Sequence, residues 1–155
     1  GRAVMGYVLT EMGFKTGQVI VLGRSIGTTV ALEIAKGTPP GGVILVSPLT
    51  TGKAVAKANG FGILACFAGN KFNNLEKIKH LAAPLLILHG TEDDVVPFSM
   101  GKQLYALAPA PKRFVAVSGG GHNDIGWRGH TRYWQAISDF LQKHGNSRPL
   151  TYRGF

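Results

Sequence analysis

The chain has 155 residues, of which 45% are hydrophobic and 16% are charged, and its formal net charge is +9. This length and composition suit one globular domain and exclude a disordered chain. One cysteine excludes an internal disulfide and indicates a reducing compartment, while no apolar run is long enough to span a membrane and the first residues do not have the order of a signal peptide.

Four segments typical of strands alternate with segments typical of helices. Uninterrupted runs of β-favouring apolar residues predict strands at 19–22, 43–46, 84–89 and 113–117. Helices are predicted near the N-terminus, directly after residue 25, and at 74–81, 99–108 and 131–144. The irregular stretch 49–73 is expected to be a loop with a short helical piece. This alternation predicts an α/β fold with a mostly parallel sheet and helices on both faces.

The spacing of apolar residues also predicts which side of each helix is buried. The face predicted for the first helix, which Gly13 would end, consists of Ala3, Val4, Tyr7, Val8 and Met12. The face predicted for the second helix consists of Val30, Ala31, Ile34 and Ala35. The face predicted for the last helix consists of Tyr133, Ile137, Phe140 and Leu141. Asn74 is expected to cap the helix that follows it.

Between the first strand and the second helix, residues 23–27 are Gly-Arg-Ser-Ile-Gly. A serine on a sharp turn from strand to helix projects its hydroxyl out of the sheet, and the positions two before and two after it must be nearly free of side chains. Gly23 and Gly27 satisfy that requirement. The same pentapeptide occurs in ordinary glycine-lined loops, so the rest of the chain decides whether Ser25 is a nucleophile.

Residues suited to nucleophilic catalysis follow three of the predicted strands. Ser25 follows the first strand, Asp93 and Asp94 follow the third, and His122 follows the fourth. In a parallel sheet the carboxyl ends of the strands share one edge, where ligands bind. A serine hydroxyl needs a base and a third group that orients the base. The pattern predicts a triad of Ser25, His122 and an aspartate, with Asp93 favoured because it lies nearer the strand end and Asp94 as the alternative.

The remaining polar residues add one further element to this site. The backbone N–H of Ile26 is predicted to be one donor of an oxyanion hole, whose second donor is expected from a loop after an earlier strand that this chain lacks. His89, within an apolar strand, is predicted to be a hydrogen-bonded structural histidine. No cluster has metal-ligand spacing and no glycine loop resembles a phosphate cradle, so no cofactor is predicted.

Four short segments resemble one family of enzymes. They are GRSIGT at 23–28, SPLTTG at 47–52, HGTEDDVV at 89–96 and GHND at 121–124. Over residues 2–141 the chain resembles the α/β-hydrolase domain-containing protein 17 group, serine hydrolases that remove palmitate from cysteines of membrane-associated proteins. The resemblance implies a partial α/β-hydrolase fold without its N-terminal strands, a triad of Ser25, Asp93 and His122, and neither metal nor organic cofactor.

The resemblance also implies a domain organisation and a substrate class. Residues 1–145 are predicted to be the catalytic domain, incomplete at its N-terminus, and 146–155 an irregular basic tail. The expected substrate is an acylated protein or a lipid-like ester, and an apolar groove for the acyl chain, or else plain core, is predicted at Phe61, Ile63, Leu64 and Phe67. The protein is expected to be cytoplasmic, with an anionic membrane surface as a possible partner through its net positive charge and no nucleic acid.

Two other functions are compatible with the same residues. Relatives of the family are often classed as serine peptidases of the prolyl-oligopeptidase clan, so a peptidase-like hydrolase is one alternative. A catalytically incompetent fragment or interaction domain is the other, because the strand that carries the second oxyanion donor is predicted to be absent.

Overall fold

The computed structural model describes residues 1–60, 72–109 and 111–145. The strands are β1 (Ile20–Arg24), β2 (Gly42–Val46), β3 (Leu85–Gly90) and β4 (Lys112–Val117). The longer helices are α1 (Arg2–Thr10), α2 (Gly27–Gly37), α5 (Phe98–Leu107) and α7 (His130–His144). The shorter helices are α3 (Gly52–Ala58), α4 (Asn74–Lys79) and α6 (Ile125–Arg128), and Thr16–Gln18 forms a 3₁₀ turn. The predicted groove at 61–67 and the tail at 146–155 lie outside the described residues.

The four strands form one parallel sheet in the order β1-β2-β3-β4. Every residue of β2 and β3 is buried, as expected for central strands covered on both faces. β1 and β4 form the two edges of the sheet within the described residues. This topology confirms the predicted α/β fold, and it places Ser25 and His122 after strands at opposite edges.

Alternate side chains of the central strands enter two separate cores, one on each face of the sheet. On one face, α2, α4 and α5 cover Val43, Leu45, Leu85 and Ile87. On the other face, α6 and α7 cover Ile44, Val46, Leu86 and Leu88. The prediction of helices on both faces is therefore confirmed. No helix within the described ranges is long and apolar enough to cross a membrane.

The predicted faces of α1 and α2 are wrong in part. In α1 the buried residue is Met5, while Val4 and Tyr7 of the predicted face are 67% and 59% exposed. In α2, Leu32 is buried and Val30 is 50% exposed. Both helices carry apolar residues around much of their circumference, so periodicity alone did not determine which side would meet the rest of the protein. In α7 three of the predicted residues are buried and Leu141 is exposed.

The stretch 49–73 contributes one described helix and part of a small third core, in which Leu49 packs with Val96 and Met100. The Thr51 hydroxyl caps α3 by accepting a hydrogen bond from the Ala54 N–H at 3.0 Å. Asn73, and not Asn74 as predicted, caps α4 by accepting from the Glu76 N–H at 3.2 Å. Asn74 is instead buried and donates to the Leu49 carbonyl at 2.9 Å. This contact ties the segment after β2 to the start of α4.

Candidate active site

Ser25 occupies the turn between β1 and α2 in a left-handed backbone conformation, with φ +52°. Such a conformation is uncommon for residues other than glycine and persists only where neighbouring contacts hold it. Here the Ser25 N–H donates to the Val46 carbonyl at 2.9 Å, and the Ser25 carbonyl accepts from both the N–H and the hydroxyl of Thr28, at 3.0 and 2.6 Å. The turn is therefore fixed on the end of β2 and on the first turn of α2.

The loops that follow β3 and β4 lie side by side. The Thr91 N–H donates to the Val117 carbonyl and the Glu92 N–H to the Gly120 carbonyl, each at 3.0 Å. A Cβ atom on Gly90 would collide with the Gly120 carbonyl oxygen, so the glycine permits this close approach. These contacts place the segment that carries Asp93 beside the segment that carries His122.

The structure brings together three of the predicted side chains. The Nε2 atom of His122 lies 3.1 Å from the Ser25 hydroxyl, and its Nδ1 atom lies 3.0 Å from both carboxylate oxygens of Asp93. His122 and Asp93 are buried and Ser25 is half-buried. With Nδ1 donating to the carboxylate, Nε2 can accept the serine proton, which is the arrangement that a base-activated serine requires.

Asp93 and Asp94 have different surroundings, although they are neighbours in the sequence. The carboxylate of Asp93 accepts from the Val95 and Val96 N–H groups at 3.1 and 2.7 Å as well as from His122, while Asp94 is exposed. Burial alone raises the pKa of Asp93, but hydrogen bonds from Val96 and His122 outweigh it and hold the pKa below its ordinary value. Asp93 is thus a carboxylate at neutral pH, and it is the aspartate that faces the histidine.

Ser47 adjoins the same carboxylate and was not singled out from the sequence. It follows β2, is fully buried and, like Ser25, has a left-handed backbone, with φ +47°. No hydrogen-bond partner satisfies its hydroxyl among the described side chains, yet it lies close enough to Asp93 to contribute to the lowered pKa of that carboxyl. We attribute this effect to the nearby hydroxyl dipole. The available signal was the position of Ser47 at the end of a buried strand, on the same edge as Ser25.

His89 is a second buried histidine beside Asp93. Its Nε2 atom donates to the Val96 carbonyl at 2.9 Å and lies 3.5 Å from the nearer oxygen of Asp93, and the side chain is fully buried. This agrees with the predicted hydrogen-bonded structural role. Burial lowers the pKa of His89 below its ordinary value, despite the opposing influence of the Val96 carbonyl and the Asp93 carboxylate.

The lowered pKa of His89 predicts a loss of stability in mild acid. Below pH 6.5, the ordinary histidine pKa, this histidine is protonated in the unfolded chain but stays neutral in the folded protein, because burial disfavours its charged form. The free energy of unfolding should therefore fall as the pH drops below the ordinary histidine pKa of 6.5, and fall less in His89→Gln, whose amide can still donate to the Val96 carbonyl. Urea denaturation of both proteins at several pH values measures this. Parallel curves would contradict the expectation.

The backbone N–H of Ile26 begins the helix that follows Ser25. Among the described residues, no backbone carbonyl accepts a hydrogen bond from it. This N–H group lies at the N-terminal, positive end of the α2 dipole, and Ile26 directly follows Ser25 in the sequence. It is therefore a free donor beside Ser25, and its role in an oxyanion hole stays a prediction.

Comparison with known proteins finds relatives over most of the chain. No family model matches it. The chain is 37% identical over 134 residues to human α/β-hydrolase domain-containing protein 17B, covering 86% of the chain and 45% of that protein. The chain is a homologue of the α/β-hydrolase domain-containing 17 proteins. It spans about half the length of the family members it matches.

Solved structures similar to this chain have the α/β-hydrolase fold. The monoacylglycerol lipase of Paleococcus ferrophilus matches 92% of the chain and 74% of its own with a TM-score of 0.70 at 18% identity. An acylaminoacyl peptidase, solved in complex with Z-Gly-Gly-Phe-chloromethyl ketone, matches 98% of the chain and 27% of its own with a TM-score of 0.78 at 14% identity. At these identities the likeness concerns the fold alone.

An apolar cavity of about 320 Å³ opens beside Ser25 in this member of the fold. Apart from the serine, its lining is aliphatic and aromatic: Ile26, Leu49, Val55, Phe72 and Val96 contribute, with Gly52, Ala56 and Val95. Its volume is at the lower end of the range typical of small-molecule sites, about 300–1,000 Å³. No group of three or more His, Cys, Asp or Glu side chains with the geometry of a metal site occurs in the part of the chain that the structure describes.

Proposed function

We propose that the chain carries the catalytic machinery of a serine hydrolase that cleaves acyl thioesters or esters, with removal of palmitate from protein cysteines as its reaction. The observation that carries this proposal is the hydrogen-bonded series from the Ser25 hydroxyl through His122 to the Asp93 carboxylate. Ser25 is the nucleophile, His122 the general base, and Asp93 the group that orients and stabilises the histidine.

The proposed reaction passes through an acyl-enzyme. His122 Nε2 takes the proton as Ser25 Oγ attacks the carbonyl carbon, and the backbone N–H of Ile26 donates to the oxygen that becomes negatively charged. The C–S or C–O bond then breaks, and the leaving group takes the proton from His122. A water molecule repeats the sequence on the acyl-enzyme, which releases the carboxylic acid and restores the Ser25 hydroxyl.

Two observations and one chemical argument support an acyl substrate. The cavity beside Ser25 is lined by apolar side chains, which suit a hydrocarbon chain better than a peptide backbone with its polar groups. A thiolate leaves more readily than an amine, so a triad with limited help for its leaving group favours thioesters and esters. The net charge of +9 favours attraction to an anionic membrane surface, where acylated proteins are found, and we propose a cytoplasmic, peripheral location on that basis.

A fluorophosphonate probe, which reacts with activated serines, tests the proposal. The wild-type protein should be labelled at Ser25, whereas Ser25→Ala should not be labelled at all, because the covalent bond forms on the missing oxygen. Ser99→Ala is the matched control, since it removes an exposed hydroxyl on α5 that has no place in the proposed triad, and it should be labelled like the wild type. Mass spectrometry of the labelled peptide identifies the residue.

Substrate turnover separates the proposal from its alternatives. Faster hydrolysis of a palmitoyl thioester than of an aminoacyl amide supports the thioesterase function, and the reverse order would support a peptidase-like enzyme. Equal labelling of the wild type and Ser25→Ala would overturn the serine hydrolase proposal. Absence of both labelling and turnover would favour an interaction domain.

A further inference from the structure

Arg24 directly precedes the proposed nucleophile and joins it to the histidine loop, residues 118–124. Its Nη2 atom donates one hydrogen bond to the backbone carbonyl of His122 at 2.7 Å and another to Oδ1 of Asn123 at 3.0 Å. These residues are 98 and 99 positions further along the chain. The contacts therefore depend on the assembled fold.

The topology gives these contacts a mechanical role. Ser25 follows β1 and His122 follows β4, and the sheet order places β2 and β3 between them. Three inter-strand spacings of about 4.8 Å separate the two edges by roughly 14 Å, so the histidine loop must reach across the end of the sheet. Among the described residues, three hydrogen bonds join the turn to this loop, namely the contact between Ser25 and His122 and the two from Arg24.

The far side of the loop is held by other means. The Gly119 N–H donates to the Thr91 hydroxyl at 2.9 Å, the Gly121 N–H donates to Asp124 at 2.7 Å, and the Gly120 carbonyl accepts from Glu92. The bonds with Thr91 and Glu92 tie the loop to the segment that carries the proposed acid, and the bond from Gly121 to Asp124 stabilises the loop internally. They do not tie it to the segment that carries the serine.

The charge of Arg24 has no carboxylate partner that would explain its position. No Asp or Glu lies within ion-pair distance of it in the described ranges, whereas Arg2, Arg113 and Arg128 each pair with one. The Arg24 side chain instead uses one nitrogen to satisfy a backbone carbonyl and a side-chain amide. Because the guanidinium is planar and its donors are fixed, two such bonds define the position of the loop more closely than one flexible contact would.

We propose that Arg24 is a positioning residue that clamps the histidine loop onto the nucleophile turn and so keeps His122 Nε2 within hydrogen-bonding distance of the Ser25 hydroxyl. This inference rests on the proposed serine hydrolase function, because it assigns a role within that reaction. Without the clamp, the loop would be joined to the turn only through the reacting groups themselves, and a shift of about 1 Å in their alignment can cost on the order of a hundredfold in rate.

The test compares Arg24→Gln and Arg24→Lys with Arg113→Gln. The control loses the same charge at a site far from the turn, where Arg113 pairs with Asp139 at 3.1 Å. Arg24→Gln should lower kcat and the rate of fluorophosphonate labelling by about tenfold to a hundredfold, with KM little changed because the acyl cavity is intact. Arg24→Lys keeps a donor that can reach the His122 carbonyl and should recover part of the loss. Arg113→Gln should match the wild type.

Amide hydrogen exchange provides a second measurement that does not depend on hydrolase activity. The amides of Gly119 and Gly121 should exchange faster in Arg24→Gln than in the wild type, and at the wild-type rate in Arg113→Gln. Unchanged exchange in Arg24→Gln overturns the clamp, whatever the activity. The clamp is also overturned if the wild type is labelled and Arg24→Gln is labelled at the same rate.

Two further results distinguish the clamp from a loss of folding and from an absence of hydrolase activity. If Arg24→Gln does not fold, Asn123→Ala removes one of the two acceptors and decides the matter: slower labelling supports the clamp, and wild-type labelling overturns it. A wild type that is neither labelled nor active would contradict the proposed hydrolase function, while the exchange comparison would still decide whether Arg24 holds the loop.

Discussion

The Asp93→Asn variant is expected to lose turnover by about 10⁴-fold while keeping its fold. Both carboxylate oxygens of Asp93 lie 3.0 Å from His122 Nδ1, which must carry its proton there so that Nε2 can accept one from Ser25. An asparagine can present its NH₂ group to Nδ1, which favours the tautomer with a proton on Nε2. That tautomer cannot act as a base toward the serine. Measurement of kcat with a short-chain thioester, together with circular dichroism, checks the effect.

Asp94→Asn is the matched control for this variant. Asp94 is adjacent in sequence and of the same residue type, but it is exposed and has no hydrogen bond to either histidine of the site. It should therefore turn over substrate like the wild type. Loss of activity in Asp94→Asn with retention in Asp93→Asn would show that the other aspartate orients His122 in solution, and equal loss in both would indicate a general effect of charge.

The Gly23→Ala variant is expected to lose about 1–3 kcal/mol of unfolding free energy, together with labelling of Ser25. A Cβ atom on Gly23 would lie 2.5 Å from the carbonyl oxygen of Gly27 and 2.8 Å from the Cα atom of Thr28. These are backbone atoms of the turn and of the first turn of α2, so the clash cannot be relieved by moving a side chain. Relief requires the turn to open, which displaces the Ser25 hydroxyl from His122. Urea denaturation and probe labelling measure the two consequences.

Gly27→Ala is the control that shares the same chemistry. A Cβ atom on Gly27 would meet nothing within 4 Å, and Gly27 is the first residue of α2, where alanine suits a helix at least as well as glycine. Stability and labelling should therefore equal or exceed those of the wild type. The sequence predicts that both glycines must be free of side chains, whereas the structure supports this only for Gly23. A loss in Gly27→Ala as large as that in Gly23→Ala would contradict this distinction.

Several features of the fold were predictable because the signal for them is local. The runs at 43–46 and 84–89 are apolar without interruption up to the final histidine of the second run, and they form β2 and β3, the buried centre of the sheet. The three consecutive glycines at 119–121 allow the backbone to bend closely toward a neighbouring loop, and the Gly120 carbonyl accepts a hydrogen bond from the Glu92 N–H. In each case the residues themselves limit the conformations that the backbone can adopt.

Other features depended on neighbours that the sequence does not identify. Met5, rather than Val4 or Tyr7, is the buried residue of α1, because apolar residues on several sides of a helix leave its contact face open. Asn73 caps α4 and Asn74 is buried, although both residues suit a cap. Asn74 is buried because its side chain binds the Leu49 carbonyl, 25 residues away in the sequence. A local sequence pattern does not identify such a distant partner.

The candidate site divides in the same way. The sequence by itself determined which residue types follow the strands: Ser25, His122 and a pair of aspartates at one edge of a parallel sheet. Only the tertiary structure decided that Asp93 faces the histidine, that Ser47 lies beside the carboxylate and that Arg24 reaches the histidine loop. The physical reason is that the end of a strand follows from a local hydrophobic pattern. The contacts of the site instead join residues that are distant in sequence, 98 positions apart for Arg24 and His122. Such contacts exist only once the order of the strands and the packing of the loops are in place.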